Sequence, residues 1–142
     1  RIELIWEKIE EDLPQYTSYV FEDLCRKWLL NQNGKDSIPF LLSKTGSWWG
    51  NNPLIHNRSA TQEEVDIIGL GLEKTDLLVG ECKWRKEKTD IPTAKKLVER
   101  SSFFPYQNKV LFLFSKTGFT EQLEHFAEEQ QIQLIEFKQM FE

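Results

Sequence analysis

A continuous apolar run, KVLFLFS at residues 109–115, constrains the fold of this chain more than any other feature. A strand that is apolar on both faces must be covered on both faces, which is typical of the inner strands of a parallel or mixed sheet with helices above and below it. Amphipathic helical patterns flank the run at 89–104 and 119–130, and a further short strand follows at 132–137. Because strands joined through helices usually run parallel, the C-terminal half predicts two strand–helix–strand crossovers.

The N-terminal half completes the sheet. Helical patterns at 2–11 and 17–31 come first, and the second of them carries one apolar stripe that can cover a face of the sheet. Three strands follow, near 44–49, at 63–72 and at 77–84. The short turn EKTD between the last two favours an antiparallel hairpin. The order of elements predicts an α/β fold of three layers, α/β/α, with a central mixed sheet.

Length and charge narrow the classes of protein that fit. A chain of 142 residues suits one domain, which we expect to span 1–142. The formal net charge of −5 argues against a nucleic-acid binder that works through its overall charge. The segment 83–100, however, carries seven Lys and Arg against three Asp and Glu. A solvated basic face is the ordinary explanation for such a segment, and a local nucleic-acid contact is the alternative.

The sequence also argues against a disulfide framework, a His/Cys metal centre and a membrane span. Cys25 falls in the apolar stripe of the second helix and Cys82 on the more apolar face of a strand, so we expect both to be buried, reduced thiols. His56 and His125 are far apart and neither stands at zinc-ligand spacing, which argues against a His/Cys metal centre and a Cys–His nucleophile. No apolar segment is long enough for a membrane span and there is no signal peptide, so we expect a cytoplasmic protein. A start at Arg1 rather than Met suggests a fragment of a longer protein.

One strand carries two charges where apolar residues are expected. In LLVGECKW, alternation of side chains puts Glu81 and Lys83 on one face. If EKTD is a four-residue turn, Leu72 opposes Leu77. In that register Asp66 opposes Lys83 and is a diagonal neighbour of Glu81, with Cα atoms about 7–8 Å apart. A slip of one residue would move Asp66 to the other face.

The three charged side chains suggest a chemical function. Two carboxylates as close as Asp66 and Glu81 repel each other unless a cation lies between them. Mg²⁺ prefers oxygen ligands and commonly uses one or two carboxylates together with several waters. Lys83 beside them can donate to a phosphate oxygen or orient a water, which fits phosphodiester hydrolysis. The alternative is an ordinary surface ion pair between Glu81 and Lys83, worth less than about 1 kcal/mol, and these residues alone favour it.

Four segments carry a resemblance: YVFEDLCRKWL, GSWWG, EEVDIIGL and VGECKW. In this order they resemble the C-terminal domain of unknown function found on archaeal and bacterial P-loop ATPases, which is similar to the PD-(D/E)xK restriction-endonuclease-like superfamily. The resemblance extends from about Tyr19 to the last strand. It implies a restriction-endonuclease-like fold and a DNA nuclease that uses Mg²⁺ or Mn²⁺. It also implies that 1–142 is a C-terminal part of a longer protein with a P-loop ATPase domain.

The resemblance further implies roles for individual residues. Asp66 is the metal-binding acid of the second strand, Glu81 is the second acid and Lys83 is the catalytic lysine. The main-chain carbonyl of Cys82 is a further metal ligand. Glu22 matches the acid of the first helix, which helps to hold the waters of the metal. Its position at the rim of the apolar stripe lets its carboxylate point along the edge of the core.

The expected nucleic-acid contacts lie in the basic segment: Arg85, Lys86, Lys95 and Lys96. The sequence also departs from the superfamily pattern at two places. Val65 occupies the position of a proline, and the loop between Trp49 and Glu63 is longer than the usual turn. Because some branches of the superfamily keep the fold without cleaving anything, a non-cleaving regulatory module that binds nucleic acid or protein is the alternative. A structural domain that forms a homodimer is a third interpretation.

Two remaining motifs are assigned structural roles. Trp48 and Trp49 are neighbours in a strand, so they face opposite ways and at most one lies in the core. The exposed ring has two candidate roles: stacking on a base, or packing beneath the loop or against an ATPase domain, which is the preferred interpretation. The sequence SKTG occurs at 43–46 and at 115–118. Because both copies lack the glycine spacing of a P-loop, both are predicted as turns.

Overall fold

The computed structural model describes residues 2–12, 14–57 and 59–142. The helices are α1 (Ile2–Asp12), α2 (Pro14–Asn31), α3 (Ile91–Ser101) and α4 (Glu121–Gln130). The strands are β1 (Leu42–Asn51), β2 (Gln62–Gly71), β3 (Asp76–Lys83), β4 (Asn108–Ser115) and β5 (Ile132–Glu136). A 3₁₀ helix (Phe137–Phe141) follows β5.

The five strands form one mixed sheet in the order β1-β2-β3-β4-β5. β1, β2 and β3 pair antiparallel, whereas β4 pairs parallel to β3 and β5 parallel to β4. The two parallel pairs are connected through α3 and α4, and the apolar run KVLFLFS lies in β4, between β3 and β5. The predicted α/β class with a central mixed sheet is confirmed. None of the described helices is long and apolar enough to cross a membrane.

Helices cover both faces of the sheet. On one face the core contains Phe21, Cys25 and Leu29 of α2. On the other face it contains Leu97 of α3 and Leu123 of α4. The three predicted layers are therefore present, and both cysteines are buried, free thiols as expected.

The hairpin between β2 and β3 has a different register from the predicted one. Leu70, not Leu72, lies opposite Leu77, and the pairing continues to Ile67 opposite Gly80. The turn therefore comprises the residues LEKT instead of EKTD. The shift is by an even number of residues, so it does not by itself exchange the faces of the strand.

Contacts at the turn explain the shift. The carboxylate of Asp76 accepts hydrogen bonds from Thr75 Oγ1 and from Asn108 Nδ2 of β4, which hold Asp76 at the start of β3. The contact with Asn108 joins residues far apart in the chain, so the sequence pattern of the hairpin alone does not reveal it. Continued toward the candidate site, the observed register aligns Asp66 directly with Glu81 rather than diagonally.

A β-bulge lies in β2 at the candidate acid. Val65 and Ile68 pair with residues of β1 that have only one residue between them, so Asp66 and Ile67 share a single opposite residue. A bulge bends its strand and changes the direction of the side chains at that point. The direction of Asp66 is therefore set by the bulge and not by strict alternation.

The two SKTG copies differ in structure. Residues 43–46 lie within β1, so their prediction as a turn is wrong, because pairing with β2 outweighs the local preference for a turn. Residues 115–118 do form a turn after β4, where Gly118 has a φ of 97°, a conformation that glycine adopts at little cost. The helix predicted at 89–104 is shorter than expected, and Asp90 caps it by accepting a hydrogen bond from the N–H of Ile91.

Candidate functional site

Strands β2 and β3 part at one end of their hairpin, and Asp66 stands in the gap between them. Its carboxylate Oδ2 accepts a hydrogen bond from the backbone N–H of Cys82 at 2.9 Å. Its carbonyl accepts one from Nη1 of Arg26 on α2 at 2.8 Å. Side chains thus satisfy two backbone groups at the point where the pairing of β2 with β3 ends. The gap is a built feature of the sheet rather than a frayed end.

Glu81 meets Asp66 inside this gap. Glu81 is only 2% exposed, and its carboxyl group lies beside that of Asp66. Burial raises the pKa of Glu81 well above its ordinary value, and the neighbouring carboxyl group of Asp66 raises it further. Two carboxylates this close repel each other, and a cation in the gap would relieve that repulsion.

Arg100 of α3 is the counter-ion of Glu81. Its Nη1 lies 2.9 Å from Glu81 Oε1, and its Nε lies 3.2 Å from Oε1 of Glu63 on β2. Although burial opposes the change, hydrogen bonds from Thr61 and Arg100 lower the pKa of Glu63. The sequence interpretation missed both residues. A usable signal was present, because Glu63 shares the inward face of β2 with Val65, and a buried acid requires a partner.

Glu22 of α2 belongs to the same electrostatic cluster. Burial, and after it the negative charge of Asp66, raises the pKa of Glu22 to about 7. The charges of Arg26 and Lys83 act in the opposite direction, and Arg26 Nη1 lies 3.9 Å from Glu22 Oε1. The structure therefore brings Glu22 within electrostatic reach of Asp66 and Lys83. Arg26, which donates to the backbone carbonyl of Asp66 and lies near the carboxylate of Glu22, is a further residue that the sequence interpretation missed.

Lys83 is the last residue of β3 and is half-buried. Among the described residues, the ion pair of Glu81 is with Arg100 and not with Lys83. A surface pair between Glu81 and Lys83 therefore does not describe this site, because Glu81 is buried and has a different partner. Lys83 instead opens onto a cleft of about 340 Å³.

This cleft contains half of the expected nucleic-acid contacts. Its lining residues are Glu81, Lys83, Arg85, Pro92, Thr93, Lys96 and Arg100. Arg85 and Lys96 thus lie beside the candidate acid and lysine. Lys86 lines a separate cavity next to α1, together with Glu7 and Glu11. Lys95 is exposed on α3 and is not part of the cleft lining.

The chemistry of the donors decides which cation fits. Within residues 2–12, 14–57 and 59–142, no group of three or more His, Cys, Asp or Glu side chains is arranged to hold a metal ion. Asp66 and Glu81 supply two neighbouring carboxylates, a number that Mg²⁺ commonly uses beside its waters. In an extended strand the N–H and C=O of one residue point to the same edge, so the carbonyl of Cys82 faces Asp66 as its N–H does. These hard oxygen donors fit Mg²⁺ or Mn²⁺.

The paired tryptophans separate as predicted. Trp48 packs against Phe103 and Phe104, with ring centroids 6.1 and 5.3 Å apart. Trp49 points to the opposite face and is 69% exposed. Packing of the exposed ring beneath the following loop, the first part of the preferred interpretation, is therefore wrong, whereas packing against an ATPase domain stays a prediction.

Comparison of sequences identifies relatives of uncharacterized function. A family model described as archaeal and bacterial proteins of unknown function matches residues 1–96. An uncharacterized protein of Methanocaldococcus jannaschii is 32% identical over 82 residues, which make up 58% of this chain and 16% of that protein. The chain thus corresponds to a small part of this relative.

Comparison of structures identifies the fold. Protein VC1899 from Vibrio cholerae aligns with a TM-score of 0.65 and 15% identity over 87% of this chain and 31% of its own chain. The MspJI restriction endonuclease, in complex with a 27-mer oligonucleotide, aligns with a TM-score of 0.51 and 10% identity over 97% of this chain and 29% of its own. The fold is restriction-endonuclease-like, and identities this low establish the fold alone.

Proposed function

This chain belongs to the family of archaeal and bacterial proteins of unknown function, and we propose that it is a DNA nuclease domain of the PD-(D/E)xK type that uses Mg²⁺ or Mn²⁺. One observation carries the proposal: half-buried Asp66 lies beside buried Glu81, and Glu81 lines a basic cleft. A buried acid beside a second acid is unfavourable for the fold. An acid whose pKa is raised as that of Glu81 is also typical of functional sites. The repulsion between the two acids is relieved when a cation binds between them.

In phosphodiester hydrolysis, different side chains of the site have different roles. Asp66, Glu81 and the carbonyl of Cys82 would hold the cation. When bound, such a cation polarises a phosphoryl oxygen and makes water a stronger nucleophile at neutral pH. Glu22 accepts hydrogen bonds from water next to Asp66. Lys83 donates to the phosphate oxygen on which negative charge increases in the transition state.

Two further side chains bind the rest of the substrate. Arg85 and Lys96 line the cleft on the side of Lys83 and can neutralise the phosphates that flank the reacting one. Lys96 can take this role because its ion pairs with Glu63 and Glu99 are long, with Nζ 3.9 Å from an oxygen of each. The choice of DNA is supported by the charge of the cleft and by the similarity in fold to a restriction endonuclease seen with an oligonucleotide.

We also propose that the whole protein includes a P-loop ATPase domain, as the resemblance of the sequence segments implies. The archaeal relative is long enough to contain one, because the 82 aligned residues make up only 16% of it. A homodimer stays a prediction.

The test is single-turnover cleavage of duplex, branched and single-stranded DNA in Mg²⁺ or Mn²⁺. We expect wild-type protein to cleave at least one substrate. Asp66→Asn should abolish cleavage, and it should also abolish the rise in melting temperature that the cation causes by binding only the folded state. Asparagine keeps an oxygen that can accept the hydrogen bond from Cys82, so the fold should persist.

The matched control is Glu73→Gln, which removes one negative charge from the turn at the opposite end of the hairpin. It should leave both cleavage and the cation-induced stabilisation unchanged. An Asp66→Asn variant that keeps a full response to the cation would remove Asp66 from the site. Wild-type protein that binds the cation and cleaves none of the substrates would favour the non-cleaving regulatory module.

A further inference from the structure

The guanidinium group of Arg100 joins α3, β2 and β3 beside the gap. Arg100 reaches from α3 to Glu81 on β3 through Nη1 and to Glu63 on β2 through Nε, at 2.9 and 3.2 Å. The side chains of these residues are little exposed, at 19% for Arg100, 8% for Glu63 and 3% for Glu81. Little water competes for these bonds, so the arrangement is well defined.

The geometry of the guanidinium fixes the direction of the Glu81 carboxylate. Nε and Nη1 lie in one rigid plane, so two carboxylates that bind them are held at a fixed mutual position. Oε1 of Glu81 is the oxygen that Arg100 takes, which leaves Oε2 for another partner. Thr61 Oγ1 in turn donates to Oε2 of Glu63 at 2.9 Å, so Glu63 is itself anchored.

We infer that Arg100 is a positioning residue for the cation site: it holds Glu81 by Oε1 so that Oε2 is presented beside Asp66, and Glu63 holds Arg100 in turn. The inference rests on the proposed function, because it concerns the same cation site. It gives Arg100 on α3 and Glu63 on β2 a role that acts through Glu81, in addition to the place of Arg100 in the lining of the cleft.

Charge alone makes the opposite prediction. A positive group next to a cation site repels the cation, so a variant that loses the charge of Arg100 would bind the cation more tightly if electrostatics were the only effect. If Arg100 instead positions Glu81, its loss should weaken binding of the cation. A variant that keeps the positive charge but loses the planar guanidinium separates the two effects.

The test is calorimetric titration of Mn²⁺ and Mg²⁺ into wild type and Arg100→Lys. Lysine keeps one positive charge but has one nitrogen, which cannot reproduce the planar contact with both acids. We expect Kd to increase about 10-fold, as is usual when a residue that orients a metal ligand is changed. Cleavage at saturating cation should recover most of the wild-type rate, because the defect is in cation binding. The control is Lys109→Met, which removes contacts to the carbonyls of Ser101 and Phe104 without touching the gap.

A second variant tests the path through Glu63. Glu63→Met removes the acceptor for Arg100 Nε at similar volume, and it should weaken cation binding several-fold in wild type but hardly further in Arg100→Lys. An unchanged Kd in Arg100→Lys, or additive effects of the two substitutions, would overturn the inference while the proposed function stands. Wild-type protein without any affinity for divalent cations would overturn both.

Discussion

At the scale of single residues, the acids of the gap determine how the cation-free fold responds to pH. Burial, and next the charge of Asp66, raises the pKa of Glu22 from 4.5 to about 7. Between these values the folded chain keeps a proton at Glu22 that the unfolded chain releases. Stability decreases with pH wherever the folded state binds more protons. The destabilisation from Glu22 is therefore absent below about pH 4.5 and complete above about pH 7.

This sign can be tested with Glu22→Gln, which cannot lose a proton. In EDTA we expect the variant to melt above wild type at pH 8, by about 5 °C for a domain of this size, and to melt close to wild type at pH 4.5. Asp23→Asn is the control, since Asp23 is the next residue on α2 with a side chain 49% exposed. Differential scanning calorimetry at both pH values makes the measurement. A gain confined to low pH would show that the sign is wrong.

Lys83 can be tested separately from the fold. Because Glu81 pairs with Arg100, Lys83→Ala should leave the melting temperature and the affinity for the cation nearly unchanged. Cleavage should fall by about 10²–10³-fold, since a donor to the developing charge acts only in the transition state. Lys83→Arg should not restore it, because the planar guanidinium does not fit the place of a compact ammonium. Single-turnover kinetics make the measurement, and full activity of Lys83→Ala would exclude the proposed role.

At the scale of elements, the alternation of side chains along β2 and β3 was sufficient to predict that Asp66, Glu81 and Lys83 lie in one region. It was not sufficient to predict their geometry. The register of the hairpin depends on Asp76, which is held by Asn108 of a strand that comes much later in the chain. The bulge at Asp66 has no signal in EEVDIIGL, which lacks an early glycine or proline. Arg100 was missed for the same reason: its acid partners lie on two strands, and only the packing of α3 on the sheet brings them together.

The alternation of side chains along β1 predicts that the adjacent residues Trp48 and Trp49 contribute differently to stability. Trp48 packs on Phe103 and Phe104 after α3, whereas Trp49 is 69% exposed. We expect Trp48→Ala to reduce the free energy of unfolding by about 2–3 kcal/mol, somewhat less than for a fully buried ring. Trp49→Ala should change it by less than about 0.5 kcal/mol. Urea denaturation measures both, and equal effects would contradict the assigned faces of β1.

At the scale of the whole molecule, the fold class was predictable because burial leaves a periodic record in the sequence. An apolar run at β4 requires cover on both faces, and the amphipathic segments that became α2, α3 and α4 provide it. What the patterns could not give was the distribution of charge in space. The basic segment 83–100 is continuous in sequence, yet the fold turns Arg85 and Lys96 into the cleft and Lys86 and Lys95 away from its lining.

That division gives the last prediction, which concerns DNA binding by the whole chain. With a net charge of −5, the chain should bind duplex DNA weakly, and affinity should fall steeply with salt because a few cleft residues displace counterions from phosphates. Arg85→Ala combined with Lys96→Ala should weaken binding and reduce the slope of log K against log salt by about 2. Lys86→Ala combined with Lys95→Ala changes the net charge equally and should leave the slope nearly unchanged. Fluorescence anisotropy across a salt series, in Ca²⁺ or EDTA to prevent cleavage, makes the comparison. Equal slopes for the two double variants would show that DNA responds to total charge and not to the cleft.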